Sequence, residues 1–120
     1  MEMTKLMLYP LRKMQERVTF LLSSTTGDKR DDIKYVLNSA HDDQIANMVW
    51  WLDPVGYEFT DVPYASSVFY ELHYDSDCMN NALTKNESCF TVHVTHDGRP
   101  LRFDTCLDNN AKRGSHSKLC

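Results

Sequence analysis

Glycine is scarce in this 120-residue chain: Gly27, Gly56, Gly98 and Gly114 are the whole set. None lies in a Gly-rich loop that could cradle a phosphate chain, which excludes a P-loop or a dinucleotide-binding fingerprint. No Cys-x-x-Cys spacing is present, so the common structural zinc sites are excluded as well. There is no internal repeat and no apparent Ser-His-Asp order. No apolar run approaches the roughly 18 residues of a membrane span. The opening Met-Glu-Met-Thr-Lys lacks the apolar core of a signal peptide, so a secretory signal, if the parent protein has one, is expected upstream. Excess positive charge is also missing. Thirteen Lys and Arg face seventeen Asp and Glu, for a formal net charge of −4, with the signs interspersed. Neither nucleic acid nor an acidic membrane surface is implied as a partner.

What is present is a change of period between Ile33 and Leu52. Ile33–Leu37 is short and rich in β-branched and aromatic residues, the composition of a strand buried on both faces. From Asp42 the spacing is helical: Ile45, Met48, Val49 and Leu52 fall at i, i+3, i+4 and i+7, with Ser39 or Asp42 available as N-cap. His41 and Asp42 therefore stand where a strand's carboxyl end meets a helix amino end. In open α/β sheets that junction binds ligands, and the helix dipole and free N–H groups favour an anion such as phosphate. The His41 imidazole can donate to a phosphoryl oxygen, and the Asp42 carboxyl can pass a proton to a departing alkoxide. The competing reading makes Asp42 a helix cap and His41 a turn residue.

Around this unit the chain reads in order. Met7, Leu11, Met14, Val18 and Leu21 form the stripe of an amphipathic helix, which Pro10 is expected to start, leaving residues 1–9 extended or kinked. Residues 23–32 form a polar loop, and Asp53-Pro54-Val-Gly56 stops the second helix. Val68–Tyr74 alternates as a half-buried strand with Phe69 and Glu71 on one face and Val68, Tyr70 and Leu72 on the other. Phe90–Thr95 and Leu101–Phe103 flank His96-Asp97-Gly98-Arg99, a hairpin signal. His96-Asp97 opens a β-turn with no following helix and is rejected as a catalytic pair. His73, His93 and His96 could approach across strands, but the sequence offers no third ligand or supporting shell, so no metal is assigned.

Cys78, Cys89, Cys106 and Cys120 read as disulfide cysteines. Cys78 and Cys89 bracket a polar loop between two strand-like runs, so a bridge between them would close a hairpin neck. Cys106 and Cys120 form the other local pair, or one of them bonds to a part of the protein outside this sequence. Asn86-Glu87-Ser88 is a glycosylation sequon in the same loop, which favours an oxidising compartment.

Two of these stretches carry a family likeness. Ser39-Ala40-His41-Asp42, followed by Val62-Pro-Tyr-Ala-Ser-Ser-Val-Phe-Tyr-Glu-Leu72, resembles the carboxyl-terminal part of a histidine acid phosphatase, branch 2 of the histidine phosphatases. Phe90-Thr-Val-His-Val-Thr and Arg99-Pro-Leu-Arg-Phe, followed by a Cys, resemble that family's closing hairpin and terminal disulfide segment. The likeness covers roughly residues 1–106, leaving 107–120 as an irregular cysteine-containing tail. It implies an α/β fold: a partial three-layer domain of histidine phosphatase type, with a buried strand–turn–helix unit and a C-terminal β-hairpin. It implies His41 as phosphate ligand and Asp42 as proton donor, with a phosphomonoester as substrate and no metal or organic cofactor. The family's nucleophile sits in an Arg-His-Gly-x-Arg-x-Pro motif that this sequence lacks. The chain is thus expected to carry half of an acid phosphatase site, to need the missing amino-terminal half of the domain, and to be secreted or lysosomal. Two other readings stand beside it: a catalytically inactive phosphate-binding module, and a disulfide-stapled secreted interaction domain.

Overall fold

A computed structural model describes residues 3–23 and 34–103, with side chains of the first helix from Leu8 onward. Ile33, most of the polar loop before it, Cys106, Cys120 and the tail lie outside the described residues. Three helices and three strands follow in the order α1 (Met3–Ser23), α2 (Asp42–Leu52), β1 (Val68–Tyr74), α3 (Ser76–Asn80), β2 (Phe90–His96) and β3 (Arg99–Pro100). A 3₁₀ turn, Glu87–Cys89, leads into β2. The strands form one antiparallel sheet in the order β1-β2-β3.

The sheet forms where the alternation is clearest. Val68–Tyr74 pairs with Phe90–His96 residue for residue, from Val68 opposite His96 to Tyr74 opposite Phe90. Alternate side chains point to opposite faces, so Val68, Tyr70 and Leu72 lie with Phe90, Val92, Val94 and His96 on the inner face. Phe69, Glu71 and His73 share the outer one with Thr91, His93 and Thr95. Burial pushes the Tyr70 phenol up to about 12, in keeping with an inward position. Asp97 and Gly98, both at positive φ, make the tight turn into β3. The return strand is only Arg99–Pro100, shifted from the expected 101–103, and Leu101 extends it through its N–H to the Val94 carbonyl at 2.8 Å.

Two expectations are corrected. The first helix does not start at Pro10 but runs through it. The proline forfeits one backbone bond, a loss offset by the apolar stripe, in which Val18 is buried and Leu11, Met14 and Leu21 are half-buried. The second correction is larger. Lys34–Ala40 forms no strand, and Tyr35, Val36 and Leu37 are 67, 41 and 77 % exposed. A strand buried on both faces needs neighbours on both sides, and the sheet is a small antiparallel one that offers this segment no partner. Of the buried strand–turn–helix unit, only the helix is in place. The fold is a mixture of helix and sheet, α/β at the coarse level.

One core cluster lies at the hairpin neck: Val18 of α1 with Cys89 and Phe90, flanked by Leu21, Leu22, Leu72, Cys78 and Met79. Cys78 and Cys89 are disulfide-bonded, with Cα atoms 5.6 Å apart, as their bracketing of the loop predicted. The bridge links positions 11 residues apart, a loop whose closure restricts the unfolded chain by about 3 kcal/mol. Cys78→Ser with Cys89→Ser should therefore lower unfolding free energy by about that amount in urea titrations, and a loss under about 1 kcal/mol would show that the bridge adds little to the packing around it.

Candidate functional site

His41 and Asp42 stand at the amino end of α2, but no strand leads into it and the capping differs from that expected. His41 is the N-cap, in extended backbone at φ −91° and ψ 164°. Its N–H donates to Gln44 Oε1 at 3.0 Å, and its carbonyl accepts from the N–H groups of Gln44 and Ile45 at 3.1 Å. Neither Ser39 nor Asp42 caps the helix. Asp42 is the first helical residue, and its Oδ1 accepts from the Asp43 N–H at 2.9 Å. Both His41 and Asp42 are exposed. The start of α2 borders an open groove walled by Trp50 and Phe59, with Asp42, Asp43 and Asp61 along it. A carboxyl group thus lines an aromatic-sided groove. Asp43 and Asp61 oppose a dianion there, so cationic partners are needed to hold one.

A second constellation forms around the histidine that the sequence reading set aside. His96 is the one buried polar side chain among the described residues, 2 % exposed. Tyr57 Oη lies 2.7 Å from its Nδ1, and Ser66 Oγ lies 3.0 Å from its Nε2. Ser66 Oγ donates to Asp97 Oδ2 at 2.8 Å, while the Ser67 N–H donates to Asp97 Oδ1 at 2.7 Å. With the Ser66 hydroxyl hydrogen directed at Asp97, the matching neutral tautomer has Nε2–H donating to Ser66 Oγ and Nδ1 accepting from Tyr57. The rings of Tyr57 and Phe59 stand edge-on to His96, both 5.7 Å away, and the Arg99 guanidinium lies over Tyr57 at 4.6 Å. Serine, histidine and aspartate are therefore together in space, which no sequence order had revealed. They are not a nucleophilic triad. The hydroxyl donates to the carboxylate rather than to the histidine, both ligands lie on the Nε2 side, and Tyr57 occupies the other nitrogen. The network is closed and ties the 57–67 segment to the β2–β3 turn.

The strand histidines divide by face. His96 points inward, whereas His73 and His93 stack on the outer face with ring centroids 4.6 Å apart. Glu71 joins them, its Oε2 3.4 Å from His73 Nε2. Asn86 is exposed and caps the 3₁₀ turn, its Oδ1 accepting from the Ser88 N–H at 2.7 Å and from the Ser88 hydroxyl. No helix among the described residues is long and apolar enough to cross a membrane. The Cys78–Cys89 disulfide is compatible with an extracellular setting. Comparison with protein-family models, curated proteins and solved structures gave no match.

Two outcomes follow for the His96 network. His96→Ala should cost about 3 kcal/mol in denaturant unfolding, because it opens a cavity and strips the buried partner from Tyr57 and Ser66. Burial raises the Asp97 carboxyl, but the bonds from Ser67 and Ser66 and the adjacent imidazole outweigh it, leaving the pKa below its ordinary 3.8. A depressed carboxylate contributes stability above its unfolded value and loses it as pH falls through the folded one. Asp97→Asn should accordingly flatten the decline of Tm at pH values below 3.8. An unchanged acid limb would show that Asp97 is not its source.

Proposed function

We propose that the chain carries the proton-donor half of a phosphomonoesterase site of the histidine acid phosphatase kind. The observation that carries this reading is the placement of His41 and Asp42: adjacent, exposed, and at the amino end of α2 beside an aromatic-sided groove. The Ser-Ala-His-Asp and Pro-Tyr-Ala-Ser likeness supports it. So does the exposed Tyr35-Val36-Leu37 segment, whose apolar side chains await neighbours that the described residues do not supply.

In the complete site a histidine outside this sequence attacks phosphorus and the bond to the leaving oxygen breaks. Asp42 gives its proton to that oxygen, and afterwards takes a proton from the water that hydrolyses the phosphohistidine. His41 donates to a phosphoryl oxygen, and the α2 N–H groups add their dipole. Arginines from the missing half would offset Asp43 and Asp61. The groove walls of Trp50 and Phe59 receive the leaving group.

A second reading, a disulfide-stapled secreted interaction domain, is favoured by the bonded Cys78–Cys89 neck beside an exposed Asn86 sequon. Phosphate separates the two. Once the chain is complemented with a segment bearing the nucleophile and its arginines, titration with inorganic phosphate should shift the amide resonances of Asp42, Asp43 and Gln44 saturably, and His41→Ala should abolish the shift. If these amides do not respond, the phosphatase reading fails and the interaction domain stands. The chain alone should turn over no aryl phosphate. Once complemented with a segment bearing the nucleophile, Asp42→Asn should lower kcat on alkyl phosphates by about 10²–10⁴, while an unchanged kcat would make Asp42 a structural residue.

A further inference from the structure

We infer that Glu71, His73 and His93 form a surface site for a divalent transition-metal ion of the zinc–copper class. The β1–β2 register creates it. Glu71 lies directly opposite His93, and His73 follows Glu71 by two residues on the same strand, so all three side chains leave the same outer face. One ligand atom from each lies within 4.8 Å of the other two. Around zinc, with bonds near 2.0–2.2 Å, donors of a tetrahedron sit about 3.4 Å apart. The Glu71–His73 pair is already at 3.4 Å. The remaining adjustment is at most about 1.4 Å, the gap between 4.8 and 3.4 Å, which side chains that are half exposed, 53 % for His73 and 54 % for Glu71, can make by rotation.

The donor set selects the metal. Two imidazole nitrogens and one carboxylate oxygen suit Zn²⁺, Cu²⁺ and Ni²⁺, whereas Ca²⁺ and Mg²⁺ favour all-oxygen shells. The outer positions of the two strands are Phe69, Glu71, His73, Thr91, His93 and Thr95. None is a Lys or Arg that would repel a cation. Three protein donors leave the fourth tetrahedral position to water or to a group from another molecule. A bound ion would also cross-link β1 to β2, adding a second tie between strands already joined at the neck by the disulfide.

Cu²⁺ added to the full chain tests this. The spectrum of the bound ion should show hyperfine coupling to two imidazole nitrogens, at one ion per chain, and equimolar Zn²⁺ should raise Tm. His73→Gln and His93→Gln should each weaken Cu²⁺ binding at least about tenfold, and Glu71→Gln should weaken it less. His116→Gln, which removes the tail histidine, should leave it unchanged. All three ligand positions are exposed, and an unaltered circular dichroism spectrum confirms folding of each variant. Binding that survives both strand variants, or that His116→Gln abolishes, would overturn the site. So would a spectrum with no pair of nitrogens.

Discussion

The antiparallel ladder between Val68–Tyr74 and Phe90–His96 is the constraint on which the other features hang. Because side chains alternate strictly along each strand, this single register decides four things at once. It sends Tyr70, Leu72, Val92 and Val94 inward, seats Phe90 against Val18 of α1, buries His96 where Tyr57 and Ser66 must reach it, and gathers Glu71, His73 and His93 outside. A buried imidazole left unpaired would cost on the order of 1–3 kcal/mol. The position of the 57–67 segment is thus a consequence of the ladder rather than an independent choice, and Val55, bonded through its N–H to the Arg102 carbonyl at 2.7 Å, is drawn to the same end of the sheet.

The two candidate sites differ in how they depend on this frame. His41 and Asp42 belong to α2, whose amino end is organised locally by Gln44 and whose groove is completed by Phe59 and Asp61. Their geometry is set largely by the start of the helix itself, and the phosphatase chemistry proposed for them would need groups outside this sequence. The Glu71–His73–His93 cluster is the reverse. Every donor is present, and only strand pairing makes them neighbours.

That difference also explains what could be read in the sequence. Strand β1, the α2 stripe, the Asp97-Gly98 turn and the Cys78–Cys89 bridge are governed by spacings of no more than 11 residues, and each is where its pattern placed it. Pro10 misled because a local penalty was outweighed by packing further along α1, where Val18 is buried and Leu11, Met14 and Leu21 are half-buried. Ile33–Leu37 misled for a deeper reason. A run of apolar residues records the environment a segment is suited to, and Tyr35, Val36 and Leu37 stand exposed where no strand partners them. The His96 network was illegible because its bonds join residues 39 and 30 positions apart. Glu71 went unrecognised as a third donor because its neighbour His93 is identified only by register.

The disulfide at the hairpin neck carries a consequence for fidelity. Cys89 immediately precedes Phe90, the residue that opens the ladder opposite Tyr74, so the covalent link fixes the phase of the two strands at their junction. A slip of one residue exchanges the two faces of a strand completely. In β1 such a slip would present Val68, Tyr70 and Leu72 to water and drive Phe69, Glu71 and His73 against Val18 and its neighbours. The oxidation state of two cysteines that touch neither assembly thereby guards which of two chemically opposite surfaces this strand shows to its surroundings.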